Sequence, residues 1–186
     1  MRSIFRYASL SAICMALLMV SAAFAQPGAA KQFAFPNVVG WEKGETATYP
    51  SAELGYSVPY QSETGGTVTI YVYNGGVRSI ADGIGDQNVK NEIKKAETDI
   101  KSYGDAGYYQ NVKLIKSETA TIGGTRTVLY SLFSMKIRGT DVDSEIYLFG
   151  YKNNFIKIRA TRPKGRDGAA NAEVDKLLKE VVAIFK

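Results

Sequence analysis

Lys157 and Arg159 alternate along an apolar run, Phe155-Ile156-Lys157-Ile158-Arg159-Ala160, so in a strand both cations leave the same side. An ammonium and a guanidinium at that spacing suit an anion, the first as a point charge and the second as a planar fork for carboxylate or phosphate. Pairing the neighbouring hairpins places Tyr130 on the same side of the sheet and Gly150 opposite Lys157, where no side chain fills the space. The candidate ligand-binding set is therefore Lys157, Arg159, Tyr130 and Gly150, a cleft for an anionic or amphipathic ligand wherever a covering helix leaves it open. In the plainer alternative both cations reach out along the sheet rim or pair with carboxylates.

Other chemistries lack their residues. The chain of 186 residues has no His and one Cys, Cys14. This excludes Ser-His-Asp and Cys-His machinery and His-ligated zinc. A carboxylate pair, a Ser-Lys dyad or a perturbed Tyr remains for catalysis, and none shows a distinctive spacing. Asp141, Asp143 and Glu145 begin like a calcium loop, but Ile146 stands where that loop needs Gly and Lys152 where it needs its last carboxylate. Gly75-Gly76 and Gly123-Gly124 lack the Lys-Ser/Thr tail and following helix of a phosphate cradle and read as turns. No catalytic residue, metal site or cofactor is expected.

Residues 1–25 read as a secretory leader: Arg2 and Arg6 precede an apolar stretch, and Ala23-Phe24-Ala25 has the small residues of a cleavage site before Gln26. The apolar stretch is short for a membrane span, and no later segment approaches the required length. Ser11-Ala12-Ile13 before Cys14 does not match a lipoprotein signal. Removal of the leader takes away the only Cys and lowers the formal charge from +5 to +3. That balance is too weak to argue nucleic-acid binding. The expected location is outside the cytoplasm, in the periplasm of a Gram-negative bacterium or the extracellular space, as a domain held by its core without disulfides.

The positioning elements follow from periodicity. Residues 26–45, with Phe33, Phe35 and Trp41, read as an arm; residues 46–186 read as one domain. Leu54, Tyr56, Val58 and Tyr60 alternate in one strand and Val68, Ile70 and Val72 in the next, around a turn at Thr64-Gly65-Gly66. Asp86 is placed to cap a helix to about Tyr103, with Val89, Ile93, Ala96 and Ile100 on one side and Gly104 as its stop. Lys90, Lys94 and Lys95 form its solvated face.

From 110 to 162 the chain returns to strands. Gly123-Gly124 and Asn153-Asn154 read as two-residue turns and Gly139-Thr140-Asp141 as a three-residue one. That register pairs Gly150 with Lys157 and Phe133 with Tyr147. It gathers Leu129, Phe133, Met135, Tyr147, Phe149 and Tyr151 on one face and leaves the other also largely apolar. A cover on each face is implied, the second being a helix capped by Asn171 and carrying Val174, Leu177, Leu178, Val181, Val182 and Phe185. The expected fold is α+β, an antiparallel sheet of about six or seven strands covered by one helix on each face.

Two strands, a helix, four strands and a helix make an order that resembles the α/β/α sandwich of the photosystem II extrinsic subunit P (PsbP) and of a nuclear-import Ran-binding protein. The words Leu54-Gly55-Tyr56-Ser57-Val58-Pro59-Tyr60, Thr69-Ile70-Tyr71-Val72-Tyr73 and Phe155-Ile156-Lys157-Ile158-Arg159-Ala160-Thr161 also resemble a group of uncharacterised exported bacterial proteins. The resemblance implies binding or assembly rather than a reaction and brings no catalytic residues. The expected function is an exported non-enzymatic binding or accessory domain for a cell-envelope protein or a small anionic ligand. The alternative is a His-independent carboxylate or Ser-Lys hydrolase. A third reading has the arm filling a partner's surface.

Overall fold

Alternating residues build eight strands: β1 (Trp41–Lys43), β2 (Ala47–Thr48), β3 (Tyr56–Ser62), β4 (Thr67–Tyr73), β5 (Gln110–Ile122), β6 (Arg126–Ile137), β7 (Thr140–Tyr151) and β8 (Asn154–Pro163). Two α-helices, α1 (Gln87–Asp105) and α2 (Ala169–Val182), and a short 3-10 turn (Ala52–Leu54) complete the elements among the described residues. This computed structural model describes residues 30–165 and 169–186, without the side chains of 169–171. The expected leader and residues 26–29 of the expected arm lie outside the described residues. All strand pairs are antiparallel, in the order β1-β3-β4-β8-β7-β6-β5, with β2 also on β3.

α1 begins where its cap predicts: the Asp86 carboxylate accepts from the Asn88 amide at 2.7 Å. It passes the expected stop at Gly104 and ends before Gly107, which takes a φ of 81°. Gly104 serves packing instead, because a Cβ there would lie 2.7 Å from Val112 Cγ2. α2 starts at Ala169, so Asn171 falls within its first turn rather than ahead of it, and the Asn171 side chain lies outside the described ones.

The apolar stripe of α1, Val89, Ile93, Ala96 and Ile100, clusters with Phe133, Met135, Ile146 and Leu148. Val174, Leu177, Leu178, Val181 and Val182 of α2 cluster with Val128, Tyr147, Phe149, Ile156 and Ile158. Ile146 and Tyr147 adjoin in β7 yet belong to different clusters, as strand alternation requires. The described arm joins the second cluster through Phe35, Val38 and Trp41. Its Phe33 and Phe35 rings pack on Phe185 at centroid distances of 5.2 and 6.1 Å.

Three turns depart from the expected register. β5 and β6 pair Ile122 with Arg126, so Gly123-Gly124-Thr125 is a three-residue loop. β6 and β7 pair Ile137 with Thr140, leaving a two-residue turn in which Arg138 and Gly139 take φ values of 48° and 84°. Two consecutive left-handed residues make a type I′ turn, which an Arg-Gly pair does not advertise as Asn-Gly does. The pairing shifts by three residues, Phe133 facing Ser144 instead of Tyr147, and an odd shift turns β6 over, moving Leu129, Phe133 and Met135 to the α1 cluster and Tyr130 to the other side. β7 and β8 turn at Lys152-Asn153, with φ of 47° and 61°, and pair Gly150 with Phe155 and Leu148 with Lys157. This slip of two residues keeps every β8 side chain on its expected face.

Candidate functional site

In β4, Val68, Ile70 and Val72 are fully buried, which turns Thr67, Thr69, Tyr71 and Tyr73 to the opposite side. β8 presents Phe155, Lys157, Arg159 and Thr161 to that same side. The register joins Thr67 with Thr161, Thr69 with Arg159, Tyr71 with Lys157 and Tyr73 with Phe155. α1 packs over β5, β6 and β7. The polar ladder of β4 and β8 therefore becomes the floor of a groove beside the helix.

The end of α1 forms the groove's wall. Beyond Ala106 the chain folds back, and the amides of Tyr108 and Tyr109 donate to the Tyr103 carbonyl at 3.0 and 3.3 Å. Three phenols collect there, with ring centroids 5.6 Å apart for Tyr103 and Tyr108 and 5.7 Å for Tyr103 and Tyr109. A cavity of about 660 Å³ lies between this cluster, the floor residues Thr69, Tyr71 and Arg159, and Arg138 of the β6–β7 turn. A second, of about 320 Å³, shares Tyr71, Tyr103, Tyr109 and Arg159 and adds Lys157, Asp99 and the apolar Ile100 and Ile146.

Arg159 is oriented by neutral groups: Nε donates to Ser144 Oγ at 3.1 Å and Nη1 to the Tyr109 hydroxyl at 3.2 Å. Its guanidinium also stands 5.4 Å from the Tyr109 ring centroid. The Lys157 ammonium lies over the rings of Tyr71 and Tyr73 at 4.9 and 5.2 Å. Burial lowers the Lys157 pKa, with attraction from Glu92 opposing it, and burial raises that of Tyr71. Among the described residues no carboxylate forms an ion pair with Lys157 or Arg159. Phenols and hydroxyls thus make the direct contacts of both cations, while the Glu92 and Asp99 charges act on Lys157 from beyond ion-pair distance.

Of the four residues singled out from the sequence, the groove holds Lys157 and Arg159 together. Tyr130 lies on the opposite face, where its hydroxyl donates to Glu145 at 2.9 Å and its ring packs on Tyr147 at 5.2 Å. Gly150 is not an open space: it exchanges backbone hydrogen bonds with Gly83, and a Cβ on it would stand 2.1 Å from the Ala81 carbonyl oxygen. The missing side chain admits a second backbone. The phenols that do join the cations are Tyr71, Tyr103 and Tyr109, signalled by the Thr-Val-Thr-Ile-Tyr-Val-Tyr alternation and by three Tyr around a helix stop.

The acidic run does not converge. Asp141 pairs with Lys136 at 3.4 Å, Asp143 with Lys164 at 3.3 Å and Glu145 with Arg162 at 2.7 Å. Among the described residues no group of three or more His, Cys, Asp or Glu gathers as a metal would need. Among the described residues one Ser-Lys contact is present, Lys164 Nζ donating to Ser134 Oγ at 2.8 Å, exposed and outside both cavities. No helix among the described residues is long and apolar enough to cross a membrane.

No family model and no curated protein matches the chain. Among solved structures it is similar to the solution structure of cyanobacterial PsbP (CyanoP) from Synechocystis sp. PCC 6803, at 12% identity and a TM-score of 0.47, with 90% of this chain and 98% of that one covered.

Proposed function

We propose that this chain is an exported, non-enzymatic binding or accessory domain, a sheet with a helix over each face, whose groove takes a small anionic ligand or an acidic group of an envelope partner. One observation carries the reading: Lys157 and Arg159 line adjoining cavities and are held by hydroxyls and rings without a carboxylate partner. An entering anion supplies the counter-charge, and each charge-assisted hydrogen bond contributes about 1.5–3 kcal/mol. Export rests on the leader's composition. The hydrolase alternative has less support, since each carboxylate of the acidic run faces its own cation and the Ser134-Lys164 contact lies in the open.

The test is titration of the mature chain with inorganic phosphate and with a triglutamate peptide, followed by amide chemical shifts. Shifts are expected along residues 67–71 and 157–161, and they should vanish in the Lys157→Ala, Arg159→Ala double variant while its urea midpoint stays near that of the parent. Binding that the double variant retains would exclude the groove.

A further inference from the structure

The groove differs from a plain anion pocket in what surrounds the two cations. Tyr103 and Tyr108 are 52% and 70% exposed, so two aromatic rings in mutual contact stand in solvent at its edge instead of in a core. Below them the floor is a ladder of hydroxyls and cations running from the Thr67–Thr161 pair to the Tyr71–Lys157 pair. Four residue steps along β4 separate those pairs, about 14 Å at 3.4 Å per residue. That distance is longer than a single sugar ring.

The backbone narrows the choice of ligand further. β4 is hydrogen-bonded to β3 and β8, and β8 to β4 and β7, so the floor has no free strand edge. An extended peptide gains affinity from main-chain pairing with such an edge. A ligand lying here is read by side chains alone: rings above, hydroxyls below, Arg159 at the middle of the floor and Lys157 at its Tyr71 end. Rings with apolar faces and polar rims suit ligands of the same amphipathic character. The Arg159 Nη2 group makes no hydrogen bond to the protein among the described residues and remains available to a carboxylate.

We propose that the ligand of this groove is an acidic oligosaccharide, its carboxylate held by Arg159 and Lys157 and a neighbouring ring stacked on Tyr103 and Tyr108. This proposal rests on the anion-binding reading of the groove and specifies its substrate class. Arg138, from the β6–β7 turn, stands at the outer cavity where a second carboxylate of the same chain would arrive.

Calorimetric titration of the mature chain with a trimer of galacturonic acid tests it, beside the methyl-esterified trimer, triglutamate and inorganic phosphate. The trimer is expected to bind at least tenfold more tightly than its ester and than triglutamate. The Tyr103→Ala, Tyr108→Ala double variant should lose about tenfold for the trimer and keep its phosphate affinity, because both rings lie outside the core. Phosphate or triglutamate binding through Arg159, with the trimer no tighter, would overturn the sugar assignment and leave the anion-binding reading standing. Triglutamate tighter than the trimer would make the ligand an acidic peptide. No binding by any of the four would overturn both readings.

Discussion

Gly83 and Gly150 exchange both of their backbone hydrogen bonds, each 2.8 Å long, where β6 no longer covers β7. The loop ahead of α1 thereby continues the sheet for one step. The same loop is anchored by the Ile80 amide, which donates to Asn153 Oδ1 at 2.8 Å, and the Asp82 carboxylate, which accepts from the Lys152 amide at 2.7 Å. Gly150→Ala forces a backbone apart and is expected to cost about 3 kcal/mol. Gly139→Ala, with a φ of 84° and nothing within 4 Å of the added carbon, should cost about 1 kcal/mol. Urea denaturation of both variants checks the order, and equal costs would contradict it.

Glu145 shares a sheet face with Tyr147, 7% exposed, facing Arg162 and accepting from Tyr130. Glu145→Gln keeps the shape and removes the charge opposite the guanidinium, for an expected loss of about 3 kcal/mol. Replacing Glu145 and Arg162 together with Met should recover most of it, since neither charge is then left in a low-dielectric site. Denaturant midpoints for the single and double variants measure the difference. A double variant worse than the single one would count against this account.

Elements were easier to read than their register. The stripe Val89, Ile93, Ala96 and Ile100 and the alternation of β3 and β4 repeat at periods that only one secondary structure satisfies. Turn lengths depend on which residues accept a left-handed backbone, and Arg138 and Lys152 do so without a side chain that announces it. Lys157 and Arg159 kept their face because the β7–β8 turn slipped by two residues. Tyr130 changed sides because the β6–β7 turn slipped by an odd number. The phenols of the groove escaped notice for another reason: Tyr103, Tyr108 and Tyr109 meet Tyr71 only through the placement of the end of α1 over the sheet, a tertiary relationship with no local period.

Alkaline stability should expose the buried phenols. Tyr60 is 1% exposed, its hydroxyl donates to the Pro36 carbonyl at 2.7 Å, and burial pushes its pKa up to about 12. A phenol with a folded pKa above its unfolded value of 10.0 contributes stability that is whole below pH 10 and lost as pH rises to 12, because the unfolded chain ionises first. Tyr60→Phe should cost about 1 kcal/mol at pH 8. It should also make the decline between pH 10 and 12 shallower without abolishing it, since burial raises Tyr56 and Tyr71 as well. Urea midpoints at pH 8, 10 and 11 give the slopes, and parallel slopes would contradict the assignment.

Phe35, Val38 and Trp41, around the start of β1, belong to the core cluster. Phe35 is 7% exposed against Phe185, and Trp41 Nε1 donates to the Glu173 carbonyl at 3.3 Å. Phe35→Ala is expected to cost about 3 kcal/mol. Deleting residues 26–45 should unfold the domain rather than merely release a partner, so that deletion does not separate an assembly role from a groove role. Thermal unfolding followed by circular dichroism reads both variants.

The arm and the last residues of the chain meet: Phe33 packs on Phe185, and the Tyr151 hydroxyl donates to the Lys186 carbonyl. Phe33, Tyr151 and Phe185 belong to the cluster built on Val68, Ile70 and Val72, while the groove is lined by Thr67, Thr69 and Tyr71 from the other face of β4. A tether at either described end therefore leaves the groove pointing away from its support. On a sensor chip the molecule can be fixed by its last residue with the groove facing the flow.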